Sequence, residues 1–245
     1  MADWIYGRNA VYECLRAGRR AFKQLWLAEG LQADERLDEI VALAHKRQIA
    51  PKPVKKPELN RVGENHQGVA LQVGDYVYSE VDAMLAQARK RGEAPFLLLL
   101  DTLQDPQNLG TLLRTAEVVG VHGVVLPHRR TATVTPAVVN ASSGASEHLL
   151  ISQANLAQTI DQLKAAEVWV IGLDAGADAQ PPERVRLDGA IALVVGSEGE
   201  GMRRLVRESC DLLLRLPMRG QVASLNAAVA GSIALFLAAQ ARRTD

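Results

Sequence analysis

Apolar positions along this 245-residue chain switch between two periods, and each switch marks an element. Val11, Leu15 and their neighbours predict a first helix that ends at Gly18, and Phe22 to Leu27 predicts a strand. Leu37, Ile40, Val41 and Ala44 fall at i, i+3, i+4 and i+7, the stripe of an amphipathic helix. The prolines of Pro51-Lys52-Pro53-Val54-Lys55-Lys56-Pro57 predict a loop, after which Gly68 to Val73 reads as a strand again. Val81, Met84, Leu85 and Ala88 fit one more helix. Its charged tail, Arg89-Lys90-Arg91-Gly92-Glu93, marks a domain boundary.

Beyond that tail the pattern alternates strand and helix. Strands are predicted near 96–101, 123–127, 168–173, 190–195 and 211–216, with helices near 108–119, 135–142, 155–166, 202–208 and 224–240. Such alternation predicts an α/β domain with a parallel sheet. The runs Phe96-Leu97-Leu98-Leu99-Leu100 and Ile191-Ala192-Leu193-Val194-Val195 have no polar face, as strands covered on both sides require. The expected organisation is therefore a small N-terminal α/β unit (1–78), a linker (79–94) and a C-terminal parallel-sheet α/β domain (95–245). There is no internal repeat and no low-complexity tract.

Three strand-to-helix joints of the second domain concentrate polar residues and glycine: Asp101 to Gly110, Gly196-Ser197-Glu198-Gly199-Glu200-Gly201, and the stretch from Leu216-Pro217-Met218 to Ser224-Leu225-Asn226. In an open parallel sheet these joints lie at the carboxyl ends of the strands, where ligands bind. The glycines around Glu198 suit a loop whose backbone a ligand approaches closely. For the third joint a purely structural reading makes Ser224 a helix N-cap and Asn226 an ordinary first-turn residue. Arg114 can likewise be a surface helix arginine, and Glu198 can simply face the positive end of the next helix.

Composition narrows the function classes. A 48% hydrophobic content is enough for a sizeable core and excludes a disordered chain. Lys plus Arg equals Asp plus Glu at 28 each, so any attraction to nucleic acid must come from local patches. Two such clusters stand in the N-terminal unit: Arg16, Arg19, Arg20 and Lys23, then Lys46, Arg47, Lys52, Lys55, Lys56 and Arg61. Cys14 and Cys210 are isolated and the five histidines form no ligand spacing, which implies reduced thiols, no metal and a cytoplasmic setting. The N-terminal residues lack the apolar core of a signal peptide. The uncharged stretch Gln221 to Gln240 approaches membrane-spanning length, but its small and polar residues favour a buried core or dimer helix, so no membrane is expected.

No GxGxxG turn follows the first strand of the second domain, no GxxxxGK[ST] is present, and there is no GxSxG elbow. What remains is a candidate site made of Asn108, Arg114, Glu198, Ser224 and Asn226, with Gly196 and the backbone around Leu216 and Leu225.

The segments that carry these residues resemble a known family. Asn108-Leu109-Gly110-Thr111-Leu112-Leu113-Arg114-Thr115-Ala116, Leu193 to Met202, and Leu216-Pro217-Met218 through Ser224-Leu225-Asn226-Ala227-Ala228 are similar, in order, to the three motifs of the SpoU (SPOUT) RNA 2′-O-ribose methyltransferases. Ile5-Tyr6-Gly7-Arg8-Asn9-Ala10-Val11 and His66-Gln67-Gly68-Val69-Ala70 resemble the two ends of the RNA-recognition domain that many members carry. Across nearly the whole chain the similarity is greatest to the RlmB subgroup, which methylates a guanosine ribose in bacterial 23S rRNA. The resemblance implies a trefoil-knotted C-terminal domain, a homodimer with the site at its interface, and S-adenosyl-L-methionine held by Gly196, Leu216, Met218 and Leu225. It also implies catalytic roles for Arg114, Asn108, Glu198, Ser224 and Asn226. Ser197 departs modestly from a loop position often occupied by Asn. A tRNA or another rRNA site is the alternative substrate, and a non-catalytic RNA-binding assembly protein the alternative of another class.

A guanidinium is almost always protonated, so Arg114 suits stabilising a developing ribose alkoxide better than removing its proton. Phosphate, water and Glu198 all remain open as the proton acceptor.

Overall fold

The computed structural model describes residues 3–221 and 224–242. Val222 and Ala223, inside the third motif, lie outside the described residues. The chain forms two compact units, Met1–Val77 together with Val134–His148, and Tyr78–Thr133 together with Leu149–Asp245.

The first unit contains β1 (Asp3–Tyr6), α1 (Arg8–Ala17), β2 (Phe22–Ala28), α2 (Glu35–Lys46), β3 (Pro51–Val54), α3 (Lys56–Asn60) and β4 (Val69–Val73). Its sheet runs β1-β4-β2-β3, with β2 and β3 parallel and the other pairs antiparallel. Helix α1 stops at Gly18 in the left-handed conformation, and α2 is capped by Asp34, whose side chain accepts the Leu37 N–H. The two motif-bearing segments of this unit meet in space. The Gly7 N–H donates to the Val69 carbonyl at 3.1 Å and the Arg8 N–H to Gln67 Oε1 at 2.9 Å. His66 holds the turn between them by accepting the Gly68 N–H on Nδ1 at 2.9 Å.

The second unit contains α4 (Val81–Arg91), β5 (Phe96–Leu100), α5 (Pro106–Val118), β6 (Gly123–Leu126), β7 (Ile151–Gln153), α7 (Leu156–Ala165), β8 (Trp169–Leu173), β9 (Ile191–Val195), α8 (Arg204–Ser209), β10 (Leu212–Leu214) and α9 (Ala227–Ala241); α6 (Pro136–Ala141) belongs to the first unit. The sheet order is β10-β8-β9-β5-β6-β7, and every pairing is parallel. Strands β5 and β9 are buried at every position, as their unbroken apolar runs require. Leu97, Leu99, Ala192 and Val194 face a core shared with α4, α7 and α8. On the other face α9 approaches closely, because a Cβ at Gly231 would sit 2.6 Å from Leu112 of α5 and 3.1 Å from Val195. Among the described residues no helix is long and apolar enough to cross a membrane.

Several expectations change. The 51–57 stretch is not simply a loop: Pro51 and Pro53 lie in an edge strand, where one side needs no donors, and α3 follows. The 79–94 stretch is not merely a linker, since Val81, Met84 and Leu85 of α4 sit in the core of the second unit. The helix expected at 135–142 belongs to the first unit, not to the sheet domain. Strands β1 and β7 are short edge elements that the apolar pattern did not single out. Helix α9 begins at Ala227, three residues later than expected.

Candidate active site

The carboxyl ends of β8, β9 and β10 open into a cleft of about 400 Å³. Leu173 and Asp174 line it from β8, Val195 to Glu198 from β9, and Leu214 to Leu216 with Met218 from β10. Ser224, Leu225, Asn226, Ala227 and Ala230 close it from the start of α9. Cofactor clefts in parallel sheets occupy this end for a topological reason: the strand ends leave peptide groups and loops facing one crevice.

The 196–201 loop is folded tightly on itself. Ser197 and Gly201 exchange backbone hydrogen bonds at 3.0 and 3.1 Å, and Ser197 Oγ donates to the Gly201 carbonyl at 3.3 Å. A Cβ on Gly196 would lie 2.2 Å from the Gly201 carbonyl carbon, so this glycine is required by the loop's own closure. The sequence reading ascribed that glycine to ligand approach; the crowding shows that the loop itself demands it. Behind the loop, buried Asp101 at the end of β5 accepts the Arg203 N–H and Nε–H, each at 2.7 Å. This ties the far end of the loop to the central strand.

Three residues from three separate motifs converge at the rim. Asn108 Nδ2 donates to Glu198 Oε1 at 2.8 Å, and Asn226 Nδ2 donates to Asn108 Oδ1 at 3.1 Å and also to Glu198 Oε1. Each is placed by a helix or loop start. Asp105 caps α5 by accepting the Gln107 and Asn108 N–H groups, which sets Asn108 in the first turn. Asn226 is itself the N-cap of α9, its Oδ1 accepting the Ala228 and Val229 N–H groups at 2.9 and 3.1 Å. The structural reading that gave the cap to Ser224 is corrected. Ser224 lies before the helix and lines the cleft. One amide thus does two jobs, its oxygen starting a helix and its nitrogen joining the rim cluster.

Gly196, Leu216, Met218 and Leu225 all border the cleft, with Met218 and Leu225 well exposed there. Arg114 does not border it. It is an exposed residue of α5, six positions beyond Asn108 and about 9 Å along the helix axis, turned well away from Asn108 around the helix. It shares its face with Val118, one turn on, which is 65% exposed. The neighbouring α9 presents Val229, Ile233 and Phe236, also exposed, at i, i+4 and i+7. Thr115 of α5 and Ser232 of α9 join their hydroxyls at 2.9 Å, so both exposed rows ride on one packed helix pair.

Sequence reasoning missed the β8 wall. Asp174 accepts the Gly176 N–H at 2.7 Å and Arg207 Nε–H at 2.9 Å, and Arg207 also grips Asp178. The signal was available in the predicted strand at 168–173 followed by a loop with two aspartates and a glycine, a fourth joint of the same kind.

A parallel-sheet α/β domain with a cleft at its strand ends, together with a small mixed-sheet unit, defines a two-domain α/β protein whose cleft lies where such sheets hold ligands. Comparison with known proteins makes this specific. Residues 95–236 match the SpoU rRNA Methylase family, and residues 4–79 match the RNA 2′-O ribose methyltransferase substrate binding domain. A Bacillus subtilis (strain 168) protein assigned to the TrmH family of tRNA/rRNA methyltransferases is 43% identical over 238 residues, covering 96% of this chain and 94% of its own. A Staphylococcus aureus (strain MRSA252) protein of the same description is 41% identical over 95% of this chain and 93% of its own. Among solved structures, the SpoU methyltransferase AviRb from Streptomyces viridochromogenes in complex with AdoMet superposes with a TM-score of 0.80 at 20% identity, covering 98% of this chain and 90% of that one. The AdoMet-bound rRNA methyltransferase from Sinorhizobium meliloti gives 0.78 at 24% identity, covering 98% and 87%. The chain belongs to the SpoU family of RNA methyltransferases.

Proposed function

We propose that this protein transfers a methyl group from S-adenosyl-L-methionine to the ribose 2′-hydroxyl of a guanosine in 23S rRNA, as a cytoplasmic homodimer. The observation that carries the reading is the Asn108–Glu198–Asn226 cluster, in which side chains from three distant motifs are hydrogen-bonded at the mouth of one cleft. A non-catalytic RNA-binding protein need not retain that arrangement. The cleft suits the cofactor by its chemistry: Leu214, Leu216, Met218, Leu225 and Ala230 offer an apolar slot for an adenosine, and the carboxylate of Glu198 suits a cationic sulfonium. The cofactor, when bound, supplies an already activated methyl group.

The chain's own residues then have to orient the ribose and ease loss of its proton. Glu198 is oriented by two amide donors, and Asn108 and Asn226 position it at the rim. Ser224 borders the same opening. Arg114 stabilises the developing alkoxide from the exposed face of α5. That face continues into the apolar row of α9, and we assign it to the contact with a second copy of the chain, so that dimerisation brings the arginine to a site. The knotted path of the C-terminal domain is part of the same reading and rests on family membership. The names of the relatives include tRNA as well as rRNA, and a tRNA substrate is the second reading.

Mapping ribose 2′-O-methylation in rRNA and tRNA from cells with and without the gene tests the proposal. Loss of one methylated guanosine in 23S rRNA is expected. Loss confined to tRNA, or an unchanged map, would reject the proposed substrate.

A further inference from the structure

The first unit has one sheet face that its helices cover only in part. Ile5, Leu25, Leu71 and Val73 point to the buried side, whereas Trp4, Trp26, Ala28, Ala70 and Val54 alternate onto the other. Helix α3 and its following turn lie over this second face through Leu59 and Val62, and Pro136 at the start of α6 borders it. A cleft of about 420 Å³ remains beside them, bordered by Trp4, Trp26, Arg61 and Val62, with Asp3 and Glu58 at its edge.

The residues of this cleft are unusual for the chain. Aromatic residues make up 4% of it, and two of its three tryptophans stand here with ring centroids 4.2 Å apart at a 45° tilt. Both stay partly exposed. The indole N–H of Trp26 is shielded from water and has no acceptor among the described residues. Its hydrogen-bonding group therefore has no partner in the fold, and a phenylalanine would strand no donor there. What tryptophan offers beyond phenylalanine is a larger ring face. Lys52 Nζ lies 5.9 Å from the centre of that ring, and Arg61, also exposed, borders the cleft. The carboxylate of Glu58 is turned to the start of α3, where it accepts the Lys55 N–H at 3.0 Å.

A partly exposed tryptophan pair with exposed Lys52 and Arg61 beside it offers an unpaired nucleobase a ring to stack on and its flanking phosphates two cations. A duplex would hide the base face. We infer that the Trp4/Trp26 cleft is a stacking site for one unpaired base of the RNA substrate, with Lys52 and Arg61 on the neighbouring phosphates. This rests on the proposed RNA-methylating activity, and it adds a site at which the first unit selects single-stranded over paired RNA.

The test uses the full-length chain carrying Trp169→Phe, so that fluorescence reports Trp4 and Trp26 alone. An unstructured RNA of about ten nucleotides should quench that emission saturably, and a blunt duplex of the same composition should not. Trp4→Ala should weaken the oligonucleotide about tenfold while Trp4→Phe retains most of the affinity, in line with stacking on one ring. Arg61→Ala, at an exposed position, should weaken binding and flatten its dependence on salt. Equal quenching by duplex, no quenching, or quenching only by an apolar peptide would overturn the stacking site. Methyl transfer assayed on the same preparation separates the two ideas: transfer without quenching removes the stacking site alone, and quenching without transfer removes the enzymatic reading alone.

Discussion

Arg20 and Glu147, 127 residues apart in the chain, form a two-pronged ion pair at 2.9 and 2.7 Å with both side chains sealed from solvent. Burial works against the charge on Arg20, but its hydrogen bonds to Glu147 and the carboxylate charge more than offset this, and its pKa is raised. The Arg20 guanidinium also lies 4.8 Å from the Tyr76 ring centre, and Tyr76 donates to the Ser146 carbonyl at 3.1 Å. Beside the pair, burial and then Glu147 push the Cys14 thiol well up. These contacts hold Val134–His148 within the first unit.

Breaking that pair from one side should be costly. Glu147→Ala is expected to destabilise the protein by about 3–5 kcal/mol, because it leaves a buried guanidinium uncompensated. Arg20→Met combined with Glu147→Leu should recover most of the loss. Urea unfolding of the two variants beside the unaltered chain checks this, and equal stability of the single and double variants would contradict it.

Removing residues 1–77 should harm more than RNA binding. The truncated chain retains Val138, Val139 and Glu147, which are buried against partners that the deletion takes away. A lower melting temperature, binding of a hydrophobic dye and aggregation are expected, measured against the intact chain. A fragment that melts like the intact protein would show that the 134–148 segment has another resting place.

Asn226 combines a cap and a site contact, and substitution can separate them. Asn226→Ser keeps a good N-cap and should change stability by less than about 0.5 kcal/mol, whereas Asn226→Ala should cost about 1 kcal/mol. Both remove the Nδ2 donor to Asn108 and Glu198, so both should lower methyl transfer at least tenfold. Thermal melts beside single-turnover assays read the two effects; full activity in Asn226→Ser would leave the amide with only its capping role.

Arg114→Ala should abolish most transfer while sparing fold and cofactor affinity, since the residue is exposed and outside the cleft. Loss of a charge-assisted contact to a developing alkoxide costs ~3 kcal/mol, a hundredfold or more in rate. Arg114→Lys should recover little, because an ammonium lacks the planar fork. Single-turnover rates at saturating cofactor and RNA decide the matter. A wild-type rate for Arg114→Ala would move the chemistry to the Asn108–Glu198–Asn226 cluster.

His122 predicts an acid-side loss of stability. Burial lowers its pKa from the ordinary 6.5, although Glu93 pulls the other way. Its Nδ1 accepts the Phe96 N–H at 3.0 Å, so the neutral ring is built into the start of β5, with Nε2 directed at Glu93 at 3.0 Å. In the unfolded chain the imidazole protonates more readily. Stability is therefore complete above about pH 6.5 and falls as the pH drops towards the lowered folded value. His122→Asn should remove this part of the dependence when urea unfolding is followed from pH 7 to pH 5.

The sequence alone determined the elements whose reasons are local. Phe96 to Leu100 and Ile191 to Val195 are apolar throughout because both faces are covered, and that composition has no other home in a chain of this size. Gly18 ends α1 where the pattern said it would. The three polar joints were legible as loops at one end of the sheet: the second and third border one cleft, and Asn108 of the first meets them at its rim, whereas Arg114 lies away from it. Only tertiary structure decided the rest. Pro51 to Val54 becomes a strand because Leu25 to Ala28 offers it an edge to pair with, a partnership that no local propensity records. Residues 134–148 join the first unit because Arg20 needs a buried counter-charge that lies far along the chain. The cap of α9 passes from Ser224 to Asn226 because the helix starts where one amide can cap it and reach Asn108 and Glu198 as well. Local pattern fixes period and boundary signals, whereas edge pairing, burial of charge and the choice among neighbouring polar residues are settled by groups distant in sequence.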